Sequence, residues 1–395
     1  MGVASDTFQV LVNNVAPTVG LTGSSLNLRT DGQPISFSGV RGQTVFFNGS
    51  FSDPGFDNPL NTDPATGGET EETFSYSIEW GDGTTDATGA PVIDTHGEPS
   101  IMTAGSFEAA HVYTAEGVYE VRVTVSDDDS GESTVVEMVT IEIVSPQVGG
   151  DLAVGGTLTD DKIRFVSGSS PEEIKILLDG RELYTGQPTG RLLAFGQAGD
   201  DDIQVAGSIS LSAWFYGDGG NDRLKGGNGN DALFGGIGDD LILGQSGLDI
   251  LVGGPGADRI IGNADDDILI AGYTVFDYRD DGVLQRNHDE AFSQIMQRWT
   301  SGGGYLDRIR ALIAEDFAYH LRSGDTVLED ADADVLTGSA GDDWFFLDDD
   351  LDRATDLVDE VLGDDLDWVT AGSMSKTRCS EGLRLQASPR SNLRA

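Results

Sequence analysis

Residues 217–270 read GDGGNDRLK GGNGNDALF GGIGDDLIL GQSGLDILV GGPGADRII GNADDDILI, six nonapeptides without a gap. Each copy opens on glycine, at Gly217, Gly226, Gly235, Gly244, Gly253 and Gly262. The sixth place is always aspartate: Asp222, Asp231, Asp240, Asp249, Asp258 and Asp267. The eighth is always aliphatic: Leu224, Leu233, Ile242, Leu251, Ile260 and Leu269. A flexible glycine-rich linker has no reason to hold an acid and an aliphatic residue in phase over six copies. The pattern is that of a repeat architecture, in which each unit buries little by itself and stacks on its neighbours. Glycine permits a sharp turn over the first six residues. The last three then form a short strand with one aliphatic side chain turned inward.

Two copies, Gly226-Gly227-Asn228-Gly229-Asn230-Asp231 and Gly235-Gly236-Ile237-Gly238-Asp239-Asp240, carry the full G-G-x-G-x-D signature. On these residues the tract closely resembles the RTX (hemolysin-type) calcium-binding repeats. The resemblance implies a parallel β-roll in which two nonapeptides make one coil and residues 18 apart stack. Asp222, Asp240 and Asp258 then line one edge, and Asp231, Asp249 and Asp267 the other. Ca²⁺ takes six to eight oxygens, which paired carboxylates and the backbone carbonyls of the turn glycines (Gly226, Gly227, Gly229, Gly235, Gly236 and Gly238) can supply. Four stacked pairs are expected: 222/240, 240/258, 231/249 and 249/267. Asp240 belongs to two of them and Asp222 to one. The last copy departs from the motif at its fourth place, where Asp265 replaces glycine. Degenerate copies flank the tract. Gly196 to Ile203 fits the register and adds Asp201; 156–163 fits loosely; Asp334 with Leu336, and Gly338 to Asp343, add Asp334 and Asp343 to the candidate ligands. Trp344-Phe345-Phe346 supplies bulk suited to sealing an open end.

The N-terminal third alternates with period two. Tyr119, Val121, Val123 and Val125 share one face, a second strand follows over 135–144, and Phe74, Tyr76, Ile78 and Trp80 run into Gly81-Asp82-Gly83. This is the pattern of an antiparallel sandwich with one buried face. Phe51-Ser52-Asp53-Pro54-Gly55, Trp80-Gly81-Asp82-Gly83, and His111-Val112-Tyr113 with Gly117-Val118-Tyr119 resemble a PKD domain over about 15–144, with insertions near 56–72 and 84–105. The resemblance implies an immunoglobulin-like sandwich acting as spacer or adhesive module, and a structural role for His111. Phe8, Val10 and Val12 read as the last strand of a preceding repeat.

The expected fold is therefore mainly β: an immunoglobulin-like PKD β-sandwich followed by a calcium-binding parallel β-roll with a small helical insertion. Its segments are 1–14, a remnant strand; 15–146, the sandwich; 147–216, a β extension capping the solenoid; 217–270, the RTX roll; 271–328, the insertion; 329–370, terminal repeats and cap; 371–395, a basic disordered tail. In the insertion, Phe292, Ile295, Met296 and Trp299, then Leu306, Ile309, Ile313 and Phe317, follow helical spacing on either side of Gly302-Gly303-Gly304. His288 and His320 read as solvated polar face.

Across 395 residues, 68 acids face 23 bases, a formal charge of −45, with 49 Asp against 19 Glu. That balance argues against a nucleic-acid or anionic-membrane binder. No apolar run reaches the length of a membrane span, and the single Cys379 leaves no disulfide framework. No H-E-x-x-H or G-x-S-x-G occurs, so no catalytic constellation is expected. The sequence thus reads as a non-enzymatic calcium-binding protein, extracellular or on the cell surface. Its expected partners are Ca²⁺ and, through the sandwich, cell-surface glycans or proteins. The alternative is the C-terminal part of a larger secreted hydrolase or toxin.

Overall fold

A computed structural model describes residues 15–23, 37–54, 58–62, 69–70, 72–98, 101–128, 130–170, 172–277, 288–348, 351–356 and 361–362. The expectations placed on Phe8, Val10 and Val12 and on the basic tail lie outside these residues. The chain divides into two compact units, the second holding the repeats.

The first unit packs a four-stranded sheet (Thr18–Gly23, Thr44–Asp53, Thr103–Val112, Val92–Thr95) with a five-stranded one (Phe37–Val40, Glu132–Glu142, Gly117–Asp127, Phe74–Glu79, Ala87–Gly89). The alternating residues Val121, Val123 and Val125 are buried against Phe47, Ile78 and Tyr113. Trp80 stacks on His111 at 4.6 Å, Nε2 of His111 lies 2.7 Å from Oδ2 of Asp82, and the Tyr113 hydroxyl donates to the Trp80 carbonyl. The W-G-D-G turn is thus locked to the strand that carries His111, a structural use of that histidine. At Gly81, with φ of +82°, a Cβ would strike the carbonyl oxygen of Glu120. Only glycine fits there.

The second unit is a roll of two parallel sheets. One carries, in order, Leu192–Phe195, Ala213–Gly219, Ala232–Ile237, Ile250–Val252, Ile268–Ile270, Trp344–Phe346 and Val361–Leu362. The other runs from the hairpin Ile174–Leu178/Arg181–Gly186 through Lys162–Ser167, Asp202–Val205, Arg223–Lys225, Leu241–Ser246, Arg259–Ala264, Val335–Ala340 and Arg353–Ala354. The eighth-place residues Leu224, Leu233, Ile242, Leu251, Ile260 and Leu269 are fully buried between the sheets. The parallel ladder also runs on N-terminal to Gly217, where the sequence suggests a β extension.

The two sheets differ at their outward-facing seventh and ninth places. In the first these are apolar (Ile250 and Val252, Ile268 and Ile270, Trp344 and Phe346), and the strands are buried throughout. In the second they are polar or half-exposed, giving buried centres between intermediate flanks. The first sheet therefore needs a cover, and the insertion supplies it. Helix α1 (His288–Trp299) has Asp289 and Glu290 in its first turn and Arg298 in its last, which suits the helix dipole. Its buried stripe of Ala291, Phe292, Ile295 and Trp299 faces the sheet, where Phe195, Tyr216 and Phe234 stack in file. Phe292 meets Phe234 edge-on at 4.7 Å. Helix α2 (Tyr305–Leu312) is shorter than the periodicity suggests: Ile313 caps it, and Phe317 lies in a following turn although both stay buried. Their burial serves packing, so the apolar rhythm outlasts the helix.

His288 corrects another expectation. It is not solvated but buried, with Nε2 3.0 Å from the Tyr216 hydroxyl and Nδ1 3.1 Å from the Phe276 carbonyl oxygen. His320 is half-buried, between the Phe317 carbonyl and Asp325. Truncating Phe292 to Ala should cost about 3–5 kcal/mol of local stability. Hydrogen exchange would show this as lost amide protection across α1.

Candidate metal centre

The turns of the roll place their sixth residues in two files. On one edge the backbone N–H of each aspartate donates to Oδ1 of the aspartate in the next coil. Asp201 donates to Asp222 (2.7 Å), Asp222 to Asp240 (2.7 Å), Asp240 to Asp258 (2.8 Å) and Asp258 to Asp334 (2.6 Å). Asp161 starts this file and Asp352 ends it. On the other edge Asp231 donates to Asp249 (2.8 Å), Asp249 to Asp267 (2.9 Å) and Asp267 to Asp343 (2.8 Å). Ala213 opens that file by donating to Asp231. Every expected aspartate pair is in contact, and the files are longer than the six uninterrupted copies. Asp222 accordingly has an aspartate on both sides, not on one as its place at the head of the tract suggests.

Oδ1 is spent on the ladder, whereas Oδ2 points inward. In Asp201, Asp222, Asp240, Asp249, Asp258, Asp267 and Asp334 that atom is buried and accepts no hydrogen bond. In Asp231 it receives the Gly227 amide at 2.7 Å. What it faces is set by the first glycine of each repeat. A Cβ on Gly217 would collide with Oδ2 of Asp222 and the carbonyl oxygen of Gly235. On Gly226 it would meet Asp231 and Gly244, and on Gly235, Asp240 and Gly253. The other turn glycines bring carbonyls of the previous coil close by: Gly236 approaches the Asp218 oxygen, Gly238 that of Gly220, Gly227 that of Ile209, and Gly229 that of Leu211. The side chain glycine lacks is thus replaced by a small cradle lined with oxygen.

Among the described residues no three His, Cys, Asp or Glu side chains converge on one point. Each cradle instead combines a carboxylate oxygen with backbone carbonyls. An all-oxygen set with a buried, unsatisfied anionic atom fits a hard divalent cation such as Ca²⁺ and does not suit a soft metal. Leaving such an atom uncompensated is costly. Burial accordingly raises these carboxyls, to about 9 in Asp258, about 8 in Asp201 and Asp240, and about 7 in Asp222 and Asp343. Neighbouring acids add to the rise in each, and the ladder amides oppose it. Asp249 and Asp267 are raised well above the ordinary value by burial and by the preceding aspartate in file, Asp231 and Asp249 respectively.

A second ladder was not read from the sequence. At the fifth place, side-chain oxygens of Asp200, Asn221 and Asp239 accept the amides of Asn221, Asp239 and Ala257 (2.8, 2.8 and 3.0 Å). Asn230 does the same for Leu248, and Asp266 for Asp342. These bonds run opposite to the sixth-place file. The signal was visible, since four of the six uninterrupted copies carry Asn or Asp at that place.

The files also cross the helical insertion without a slip. Asp258 to Asp334 and Asp267 to Asp343 are steps of 76 residues rather than 18, so 58 residues are spliced in while register is kept. The insertion is tied to the splice: the Arg308 guanidinium pairs with Asp266, and the Tyr305 hydroxyl donates to the Asp343 carbonyl.

The raised carboxyls set a pH dependence for the metal-free roll. Groups whose folded pKa exceeds the unfolded value near 4 stabilise the fold below that value, and the contribution disappears as pH rises through about 7–9. Calcium-stripped protein should therefore gain β-structure on acidification from pH 8 to pH 5, as read by circular dichroism. Gly238→Ala should destabilise the roll at any pH, because φ is +132° and the methyl would enter the Gly220 carbonyl; a lower thermal midpoint in calcium checks this.

Comparison with known proteins agrees with the oxygen cradles. No curated protein matches the chain. Among solved structures, the PKD domain of an M14-like peptidase from Thermoplasmatales archaeon SCGC AB-540-F20 is 24% identical. That match covers 33% of this chain and 98% of the other at a TM-score of 0.19. The family model of the RTX calcium-binding nonapeptide repeat (4 copies) matches 216–251, 243–272 and 330–353, on both sides of the insertion. Residues 216–272 and 330–353 of this calcium-binding protein are RTX nonapeptide repeats.

Proposed function

We propose that this chain works outside the cell as a non-enzymatic protein whose roll folds when calcium enters the cradles between its coils. The observation that carries the reading is the register of buried Oδ2 atoms over side-chain-free glycines. Asp201, Asp222, Asp240, Asp258 and Asp334 would hold ions along one edge, and Asp231, Asp249, Asp267 and Asp343 along the other. The carbonyls that crowd Gly226, Gly227, Gly229, Gly235, Gly236 and Gly238 would complete each shell. Calcium that binds the folded roll and not the open chain stabilises the roll by linkage. At the low calcium of a cytosol the acidic tract stays open and export-competent, and millimolar calcium outside closes it. The sandwich then serves as spacer or adhesive module.

Far-UV circular dichroism of the whole chain, before and after calcium removal by a chelator at pH 7.5, tests this. Loss of most of the β-signal is expected, with recovery when calcium is restored; an unchanged spectrum would sink the reading. Calorimetric titration offers a finer check. Asp222→Ala and Asp240→Ala should lower the number of bound ions equally, because each stands between two aspartates in file.

A further inference from the structure

We propose that the uncovered sheet of the roll binds a linear acidic polysaccharide. The seventh places of its strands form one straight row: Lys162, Asp202, Arg223, Leu241, Arg259, Val335 and Arg353 are successive Cα partners. Cations stand on every second strand, at Lys162, Arg223, Arg259 and Arg353. Two strand steps are about 9.5 Å. Lys162, Arg259 and Arg353 are exposed, and Arg223 keeps 41% of its side chain in solvent. The one acid in the row, Asp202, is held by Arg164 and Arg223.

This spacing is a property of the fold. Arg259 and Arg353 are separated in sequence by the spliced insertion, and Lys162 and Arg223 by the hairpin of 174–186, yet in space the interval is the same. Half-exposed aliphatics lie between the cations: Leu241 and Val335 in the row, Leu243 and Ile261 beside it. The equivalent places of the other sheet are apolar and buried, with α1 packed on Phe234, so the cationic row is confined to the sheet left open.

In a chain of net charge −45, a regular basic row selects its partner by charge density. Duplex DNA carries a charge about every 1.7 Å, and an anionic bilayer is similarly dense. Either would meet the exposed aspartates of the turns, such as Asp200 and Asp239. A polysaccharide with one carboxylate per disaccharide is sparse enough to place an acid at each arginine. The apolar faces of its sugar rings can rest on the aliphatics between. Arginine suits the task because its planar fork can take a carboxylate bidentately.

The proposal rests on the calcium reading only in that the row exists on the folded roll. Binding is therefore measured on whichever sample, with or without calcium, shows the full β-signal. Hyaluronan, which has one carboxylate per disaccharide, is the probe, titrated by calorimetry into the whole chain. Dextran, duplex DNA and phosphatidylserine vesicles are run beside it. Hyaluronan should bind, weaken as salt rises, and lose at least about tenfold in affinity in the triple variant Arg223→Ala/Arg259→Ala/Arg353→Ala. Arg122→Ala in the sandwich should change nothing. If the triple variant loses its β-signal, Arg259→Glu, at an exposed place, gives the same reading, with weaker binding expected. Absent hyaluronan binding, equal binding of dextran, tighter binding of DNA or vesicles, or unchanged affinity in the folded variants would overturn the proposal.

Discussion

The roll depends on one hydrogen bond repeated from coil to coil, a backbone amide given to the carboxylate of the next aspartate in file. It fixes the side chain so firmly that only one of the two carboxylate oxygens remains available. That oxygen is turned into the turn, away from water. Everything chemical about the tract follows from this division of labour. One oxygen builds the solenoid and the other creates a demand for positive charge inside it. Glycine at the first place is the necessary complement, because any side chain there would collide with that oxygen and with a backbone carbonyl.

The roll also uses two kinds of contact on its two faces, and they make it asymmetric. Where the seventh and ninth residues are aliphatic or aromatic, the sheet cannot face water. It recruits α1 through the stacked file Phe195, Tyr216 and Phe234. Where those places are charged or mixed, no cover is required. The nonapeptide motif specifies neither choice, since it constrains the first, second, fourth, sixth and eighth places only. The free places therefore decide what each face meets.

Much of this was legible beforehand. The aspartates, the aliphatic core and the 18-residue stacking could be read because the motif repeats without a gap. The sandwich was readable from alternation ending in the W-G-D-G turn. Three things were not legible. The continuation of the sixth-place file to Asp161 was obscured because the steps around Asp201 are irregular, 40 and 21 residues; that to Asp352 keeps the 18-residue step, but Leu347 stands where the repeat has its first glycine. The fate of His288 was not legible because its burial depends on residues distant in sequence, Tyr216 and Phe234 of the sheet. The end of α2 was overrun because Ile313 and Phe317 keep a helical spacing for packing after the backbone has turned.

The splice between Ile270 and Glu329 has a consequence for how such a molecule can change. Register is recovered after 58 additional residues as if nothing had intervened. Closing a loop of 76 residues in place of 18 costs on the order of 1 kcal/mol in chain entropy, little beside the cost of an uncompensated buried carboxylate. A roll held by coil-to-coil ladders is thus indifferent to the length of what leaves and re-enters it, provided the two ends sit one strand apart. The same skeleton could host a different excursion at that point, and its aspartate-lined edges would continue on the far side unaltered.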